Sequence, residues 1–323
     1  MTTGLETRAA GAEDLPAVLD LLRQSMGRAD DGRFDALFRW KHLDNAFGPS
    51  PMWVACDGER VVAFRTFMRW EFQRGEEVFR CVRAVDTATH PDYQGRGLFT
   101  QLTRAALPEL AADGVAFVFN TPNAQSRPGY LKMGWTAIGR ASAYVRPLSP
   151  RGAVELVRSR VPASHWSEPA TFGIPVGELL DDARIEQLPA RPSGDDILRT
   201  RMTKAFLRWR YASSVLPYRA VVGPGGIERG VAIVRVRTRG NAREVVVATL
   251  LGVQHDGKAK RRLARTMRRA ARGHADYFLG IGGIPGFVPV PSLGPIVTTR
   301  DVSQPAPAKL SDFALSMGDI ELF

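Results

Sequence analysis

The chain has 323 residues, 44% of them apolar, and its 44 basic against 33 acidic residues leave a net charge of +11. Nothing in it approaches the roughly eighteen consecutive apolar residues of a membrane span, and two cysteines, Cys56 and Cys81, are too few for a disulfide framework. What remains is a globular protein long enough for two domains, with an excess of positive charge that favours anionic partners.

The first residues lack a basic segment followed by an apolar stretch, so a cytoplasmic protein without a membrane anchor is expected. The histidines (His42, His90, His165, His255, His274) are scattered and form no ligand-spaced pair, so no metal site is expected. Both cysteines sit in apolar, strand-like runs and read as small core residues.

In chain order, Glu6 to Ala9 reads as a strand, Ala12 to Gln24 and Phe34 to Leu43 as helices, and Met52 to Cys56, Arg60 to Trp70 and Glu77 to Thr89 as strands. Asp57-Gly58 is a hairpin signal between two of these. A helix over Leu98 to Ala112, a strand over Val115 to Asn120, a short helix around Gln125 to Met133 and closing strands to about Arg146 complete the first half. This alternation predicts an α/β fold, a mixed and mostly antiparallel sheet flanked by helices.

The most informative stretch is Ala84 to Thr100, where a strand runs into His90-Pro-Asp-Tyr-Gln-Gly-Arg-Gly97 and then opens a helix. Gly95 and Gly97 have no Cβ, so the main chain can approach an anion and turn its N–H groups toward it. The helix start at Leu98 adds unpaired N–H groups and the positive end of its dipole. Such a turn suits a diphosphate. A second motif follows, Asn123 to Trp135, with Tyr130 seven residues after Asn123 and then Lys132, Gly134 and Trp135.

With both motifs at this spacing, the sequence resembles the GNAT superfamily of acyl-CoA N-acyltransferases over roughly residues 5 to 147. The resemblance implies acetyl-CoA or another acyl-CoA as cofactor. Gln94, Gly95, Arg96, Gly97, Leu98 and Phe99 would surround its diphosphate, with Asn123 as a further contact and Tyr130 as the phenolic proton donor. Where that family's turn begins with Gln or Arg, this chain has Asp92, and Gln94 is the candidate substitute.

The backbone of Val85 to Thr89, including Thr87 and Ala88, is expected to pair with the pantetheine arm as an added strand does, leaving an N–H to polarise the thioester carbonyl. Asp86, taken to share a strand face with Val82, Ala84 and Ala88, is one candidate base. A carboxylate among small apolar neighbours has a raised pKa, and the alternative for it is an ion pair with an arginine. The C-terminal carboxylate at Phe323 is the other candidate, since the last residues are too apolar for a solvated tail; activity surviving removal of Leu322 and Phe323 would exclude it.

The second half repeats the first in outline. Phe38-Arg-Trp-Lys-His42 returns as Leu207-Arg-Trp-Arg-Tyr211, and Leu102-Thr-Arg-Ala-Ala106 as Met267-Arg-Arg-Ala-Ala271. Two tandem copies of one fold are therefore expected. Residues 1–147 form the catalytic copy, and residues 148–323 a linker plus a degenerate copy that lines the acceptor site. The glycine turn has become Ala259-Lys-Arg-Arg262 in the second copy. Trp40 and Trp209 read as core anchors.

The function expected is acyl transfer to a primary amine, with a small-molecule or peptide acceptor. Two alternatives stand beside it, a CoA-binding scaffold without catalysis and a basic nucleic-acid-binding module. The eight Lys or Arg between Lys258 and Arg272 also suit an acyl carrier protein, whereas the lack of aromatic residues there disfavours nucleic acid.

Overall fold

The computed structural model describes residues 4–25, 32–158, 161–188, 196–253 and 256–321. The first half runs β1 (Glu6–Ala9), α1 (Leu15–Ser25), α2 (Phe34–His42), β2 (Met52–Asp57), β3 (Arg60–Arg74), β4 (Glu77–Thr89), α3 (Leu98–Ala112), β5 (Phe117–Asn120), α4 (Arg127–Lys132), β6 (Thr136–Arg140) and β7 (Ala143–Pro147). The second half runs α5 (Pro150–Arg158), β8 (Ile174–Pro175), α6 (Val176–Leu180), β9 (Arg199–Thr200), α7 (Lys204–Tyr211), β10 (Arg219–Val222), β11 (Val231–Arg239), β12 (Ala242–Leu251), α8 (Gly257–Ala271), β13 (Tyr277–Ile281), β14 (Val288–Val290), β15 (Ile296–Asp301) and α9 (Met317–Ile320).

The chain forms two compact units that interleave in sequence. One holds residues 1–72, 78–139 and 296–309, and the other 73–77, 140–295 and 310–323. The division expected from sequence was a single cut after residue 147. Strand β15 accounts for the interleaving, because it leaves the second half of the chain and lies between β5 and β6 of the first unit's sheet.

The sheet of the first unit has the order β1-β2-β3-β4-β5-β15-β6. The Asp57-Gly58 hairpin forms as expected: Asp57 pairs with Arg60 across a two-residue turn, and Gly58 takes φ +59°. One face packs α3 and α4, with Val82, Ala84, Leu98, Leu102, Ala106, Val118 and Tyr130 in a common cluster. The other face packs α1 and α2 through Val18, Leu22, Phe34, Phe38, Phe64 and Ala88. Leu102 is fully buried at the centre of the α3 interface. Leu102→Ala is accordingly expected to cost about 2–5 kcal/mol in urea unfolding, the usual range for a leucine cavity.

The second unit repeats the succession of elements around the sheet β14-β7-β13-β12-β11-β10-β8. In each unit a helix carrying the repeated tryptophan segment (α2, α7) precedes an antiparallel meander, a long helix (α3, α8) and a parallel strand. Met267 and Ala271 are buried on α8 as Leu102 and Ala106 are on α3, and both tryptophans, Trp40 and Trp209, are buried. The last described residues are tied to this unit by charge: Glu321 accepts from Arg235 at 2.5 Å and from Arg237 at 2.7 Å. No helix among the described residues is long and apolar enough to cross a membrane.

Candidate active site

The site begins where two parallel strands part. The ladder between β4 and β5 covers Val82↔Val118 and Arg83↔Phe119. Beyond it β5 ends at Asn120, which pairs with Thr298 of β15, whereas β4 runs on to Thr89. The segment Ala84–Thr89 thus extends past its parallel partner, which is where the sequence placed the pantetheine-binding edge.

Within this segment Asp86 sits at φ +38°, the non-glycine residue found at positive φ among the described residues. Such a conformation costs roughly 1–3 kcal/mol and persists only when the surroundings enforce it. Here it reverses the strand's alternation. Val82 and Ala84 face α3, but Ala88 packs with α1 and α2, so the single face expected for these residues and Asp86 does not exist.

The Asp86 carboxylate turns instead to α2 and lies 2.6 Å from both Lys41 Nζ and His42 Nε2. Burial by itself would raise its pKa, but the Lys41 ammonium, then the hydrogen bond and charge of His42, overcome that and hold it well below the usual carboxylate range. The raised pKa expected for Asp86 is therefore corrected. The ion-pair alternative is realised with a lysine and a histidine rather than an arginine. The fully buried His42 places its other nitrogen 3.0 Å from Ser50 Oγ, and burial pushes its pKa down.

Both groups bind protons more readily in the unfolded chain than in the folded one, so both contribute stability that is lost as pH falls. The loss begins below about pH 6.5, the ordinary value for His42, and grows below about pH 3.8, that of Asp86. Melting temperatures followed by circular dichroism should fall between pH 7 and pH 5, with a shallower slope in His42→Gln; parallel slopes would contradict this account.

The turn after β4 is built as the sequence implied. His90 and a single turn over Pro91–Tyr93 lead into Gly95 and Gly97, at φ +75° and +76°. These left-handed conformations are ones glycine adopts without penalty. Gly97 is the N-cap of α3 and offers no side-chain cap, so the first N–H groups of a fifteen-residue helix are left for an external acceptor. A Cβ built on either glycine would meet nothing within 4 Å, so the space above the turn is open.

Side chains brace the loop from behind. Gln94 donates to the Thr89 carbonyl, and Arg96 donates to the Asp92 carbonyl with its guanidinium 4.6 Å from the Tyr93 ring centroid. Tyr93 in turn donates to Asp57 at 2.6 Å.

The helix that carries Tyr130 is seated by Asn123, whose Oδ1 accepts from the Ser126 amide at 2.8 Å and the Ser126 hydroxyl at 3.0 Å. Tyr130 is buried, with its ring edge-on to Phe99 of α3 at 5.2 Å and tilted on Trp135 at 5.1 Å. Tyr130, Phe99 and the glycine turn are thus brought to one face of the sheet. The Asp86 side chain goes to α2, and Phe323 lies outside the described residues.

Arg65 was missed by sequence reasoning. It is fully buried on β3, donates from Nη1 to Thr87 Oγ1, and has its guanidinium 5.4 Å from the ring centroids of both Phe99 and Tyr130. Its Nε and Nη2 are buried without a hydrogen-bond partner among the described residues. The available signal was an arginine inside the apolar run Val61-Val-Ala-Phe-Arg-Thr-Phe-Met68, since arginine is rarely buried without a role. Lys41, His42 and Ser50 carried no comparable signal.

In the second unit the corresponding helix start is closed. Asp256 caps α8, accepting from the amides of Lys258 and Ala259 at 2.9 Å each, so a carboxylate of the protein already occupies the position open on α3. The basic residues Arg261, Arg262, Arg265 and Arg269 are exposed, while Leu263, Ala264 and Met267 face the core.

Comparison with known proteins agrees with this geometry. No curated protein sequence matches the chain. Among solved structures it is similar to a conserved protein of unknown function from Enterococcus faecalis V583, described as a probable N-acyltransferase. The TM-score is 0.64 and the identity 13%, over 93% of this chain and 73% of that one. A GCN5-related N-acetyltransferase from Anabaena variabilis ATCC 29413 gives 0.62 and 12%, with the same coverage. N-myristoyltransferase of Saccharomyces cerevisiae, solved with bound myristoyl-CoA, gives 0.58 and 13% over 100% of this chain and 86% of that one. At these identities the likeness is one of fold. The sequence of residues 6–138 matches the family model described as acetyltransferase (GNAT) domain. The glycine turn, the parted strands and that match together place this part of the chain in the GNAT family.

Proposed function

We propose that the first unit transfers an acyl group from acetyl-CoA or another acyl-CoA to a primary amine, by direct attack within a ternary complex. The observation that carries this reading is the uncapped start of α3 at Gly97, open to an anion and adjoining the extended β4 edge. Main-chain N–H groups of Gly95 to Leu98 would hold the diphosphate, since the Gln94 N–H already donates to the Pro91 carbonyl, and Val85 to Thr89 would hold the pantetheine arm. When bound, acyl-CoA supplies an activated thioester.

The chain's own groups then act around that thioester. A main-chain N–H of the Val85–Thr89 segment takes the negative charge that grows on the carbonyl oxygen as the amine nitrogen bonds to the carbonyl carbon. Tyr130 gives its proton to the sulfur as the bond from sulfur to that carbon breaks, and the proton released by the amine nitrogen as it becomes an amide restores the phenol. Asp86, already paired with Lys41 and His42, holds the bend in β4 that presents these N–H groups. The second unit, with its helix start capped by Asp256, is read as a silent copy of the same fold that holds no diphosphate.

The test is thiol release against a library of amines, with acetyl-, malonyl- and long-chain acyl-CoA in parallel. In a companion experiment, Gly97→Val should bind CoA at least about tenfold more weakly, because valine resists the left-handed φ of +76° that aims these N–H groups and its side chain would crowd the open space above the turn; the circular dichroism spectrum checks that the fold persists. Calorimetry that detects no heat between the wild-type chain and any CoA derivative ends the proposal. Tight binding without turnover on any amine would leave a CoA-binding scaffold.

A further inference from the structure

The second unit contains a cavity of about 570 Å³, lined throughout by residues of that unit. This lies within the range of roughly 300–1,000 Å³ typical of small-molecule sites. It opens where β12 and β13 part. Their ladder ends at Val246↔Leu279, and Val247 and Leu250 beyond it form one wall while Ile281 and Ile284 form another. Phe313, from the segment that precedes α9, adds to the apolar lining. The slot thus has the same place in the second unit as the parted strands have in the first, but it lacks the open helix start.

The charges around it are unlike those of a phosphate site. Asp256 lines the cavity, and its carboxylate is committed to the α8 amides, so a diphosphate would meet a negative charge instead of free N–H groups. One turn further along, half-buried Lys260 also lines the cavity and makes no ion pair or side-chain hydrogen bond among the described residues. Burial pushes the pKa of its ammonium down, the direction expected of a cation without a counter-charge. Arg199 and the polar side chains of Gln73, Thr200, Thr249 and Ser316 also line the cavity, so it joins apolar walls from β12 and β13 to a polar rim of net positive character. Such a slot suits a single negative charge on an extended apolar body.

We propose that this cavity binds a linear monocarboxylate, its chain between β12 and β13 and its carboxylate on Lys260. The site belongs to the second unit alone and does not depend on the chemistry assigned to the first.

Calorimetry on the full chain with straight-chain acids from butyrate to palmitate, and with the matching alcohols, tests it. Saturable binding is expected for acids of a limited range of lengths, with the alcohols at least about tenfold weaker. Lys260→Met and Lys260→Glu should lose a similar factor or more while keeping the wild-type circular dichroism, since the position is a partly exposed one on a helix. Saturating CoA should leave the binding unchanged. The proposal is overturned if no acid binds, if both Lys260 variants bind acids as the wild type does, or if CoA displaces the acids, which would place them in the first unit.

Discussion

Replacing Tyr130 by phenylalanine is expected to lower turnover by roughly 10²–10⁴-fold, the contribution of a positioned general acid, with CoA affinity nearly unchanged. The structure makes this substitution a clean one. The ring is held by Phe99 and Trp135, contacts that phenylalanine keeps, and the hydroxyl makes no hydrogen bond among the described residues, so its loss costs the fold little. A drop in turnover accompanied by an unchanged melting temperature identifies the phenol as the proton donor. Turnover that survives intact removes Tyr130 from the chemistry and leaves it as a wall of the cluster beneath α3.

Removing the charge of Asp86 has the other large effect, and on stability rather than on a titrating step. Asp86→Asn removes the carboxylate 2.6 Å from the buried Lys41 ammonium, a loss of about 3–5 kcal/mol when one partner of a buried pair is deleted. Lys41→Met in the same chain removes the other member of the pair, so the double variant should be more stable than the sum of the two single changes by about 1 kcal/mol or more. Urea unfolding of the four proteins measures both quantities. Were Asp86 a free carboxylate acting as base, Asp86→Asn would abolish turnover and leave the unfolding midpoint in place.

The contrast between these residues follows from how far each depends on distant partners. The boundaries of β1, β4 and α3 were legible because strand alternation, helical spacing and glycine chemistry act over a few residues. The glycine turn was legible for the same reason, since the left-handed φ of Gly95 and Gly97 is a property of the turn itself. Arg65 and the Lys41–Asp86–His42 cluster were not, because the partners stand twenty to forty-five residues apart and meet only when α2 and β3 pack beside β4.

The amino-acid order alone dictates a glycine turn at a helix start, a tyrosine on the short helix that follows, and two runs of elements with the same outline, since each of these is written in short-range backbone and side-chain geometry. Packing settles the remainder. Asp86 becomes an ion-paired bend with a lowered pKa, β15 crosses from one half of the chain into the sheet of the other, and a carboxylate closes the second helix start while a cavity opens beneath it. Each of these outcomes depends on pairings between residues far apart in sequence, whose energies local patterns do not encode.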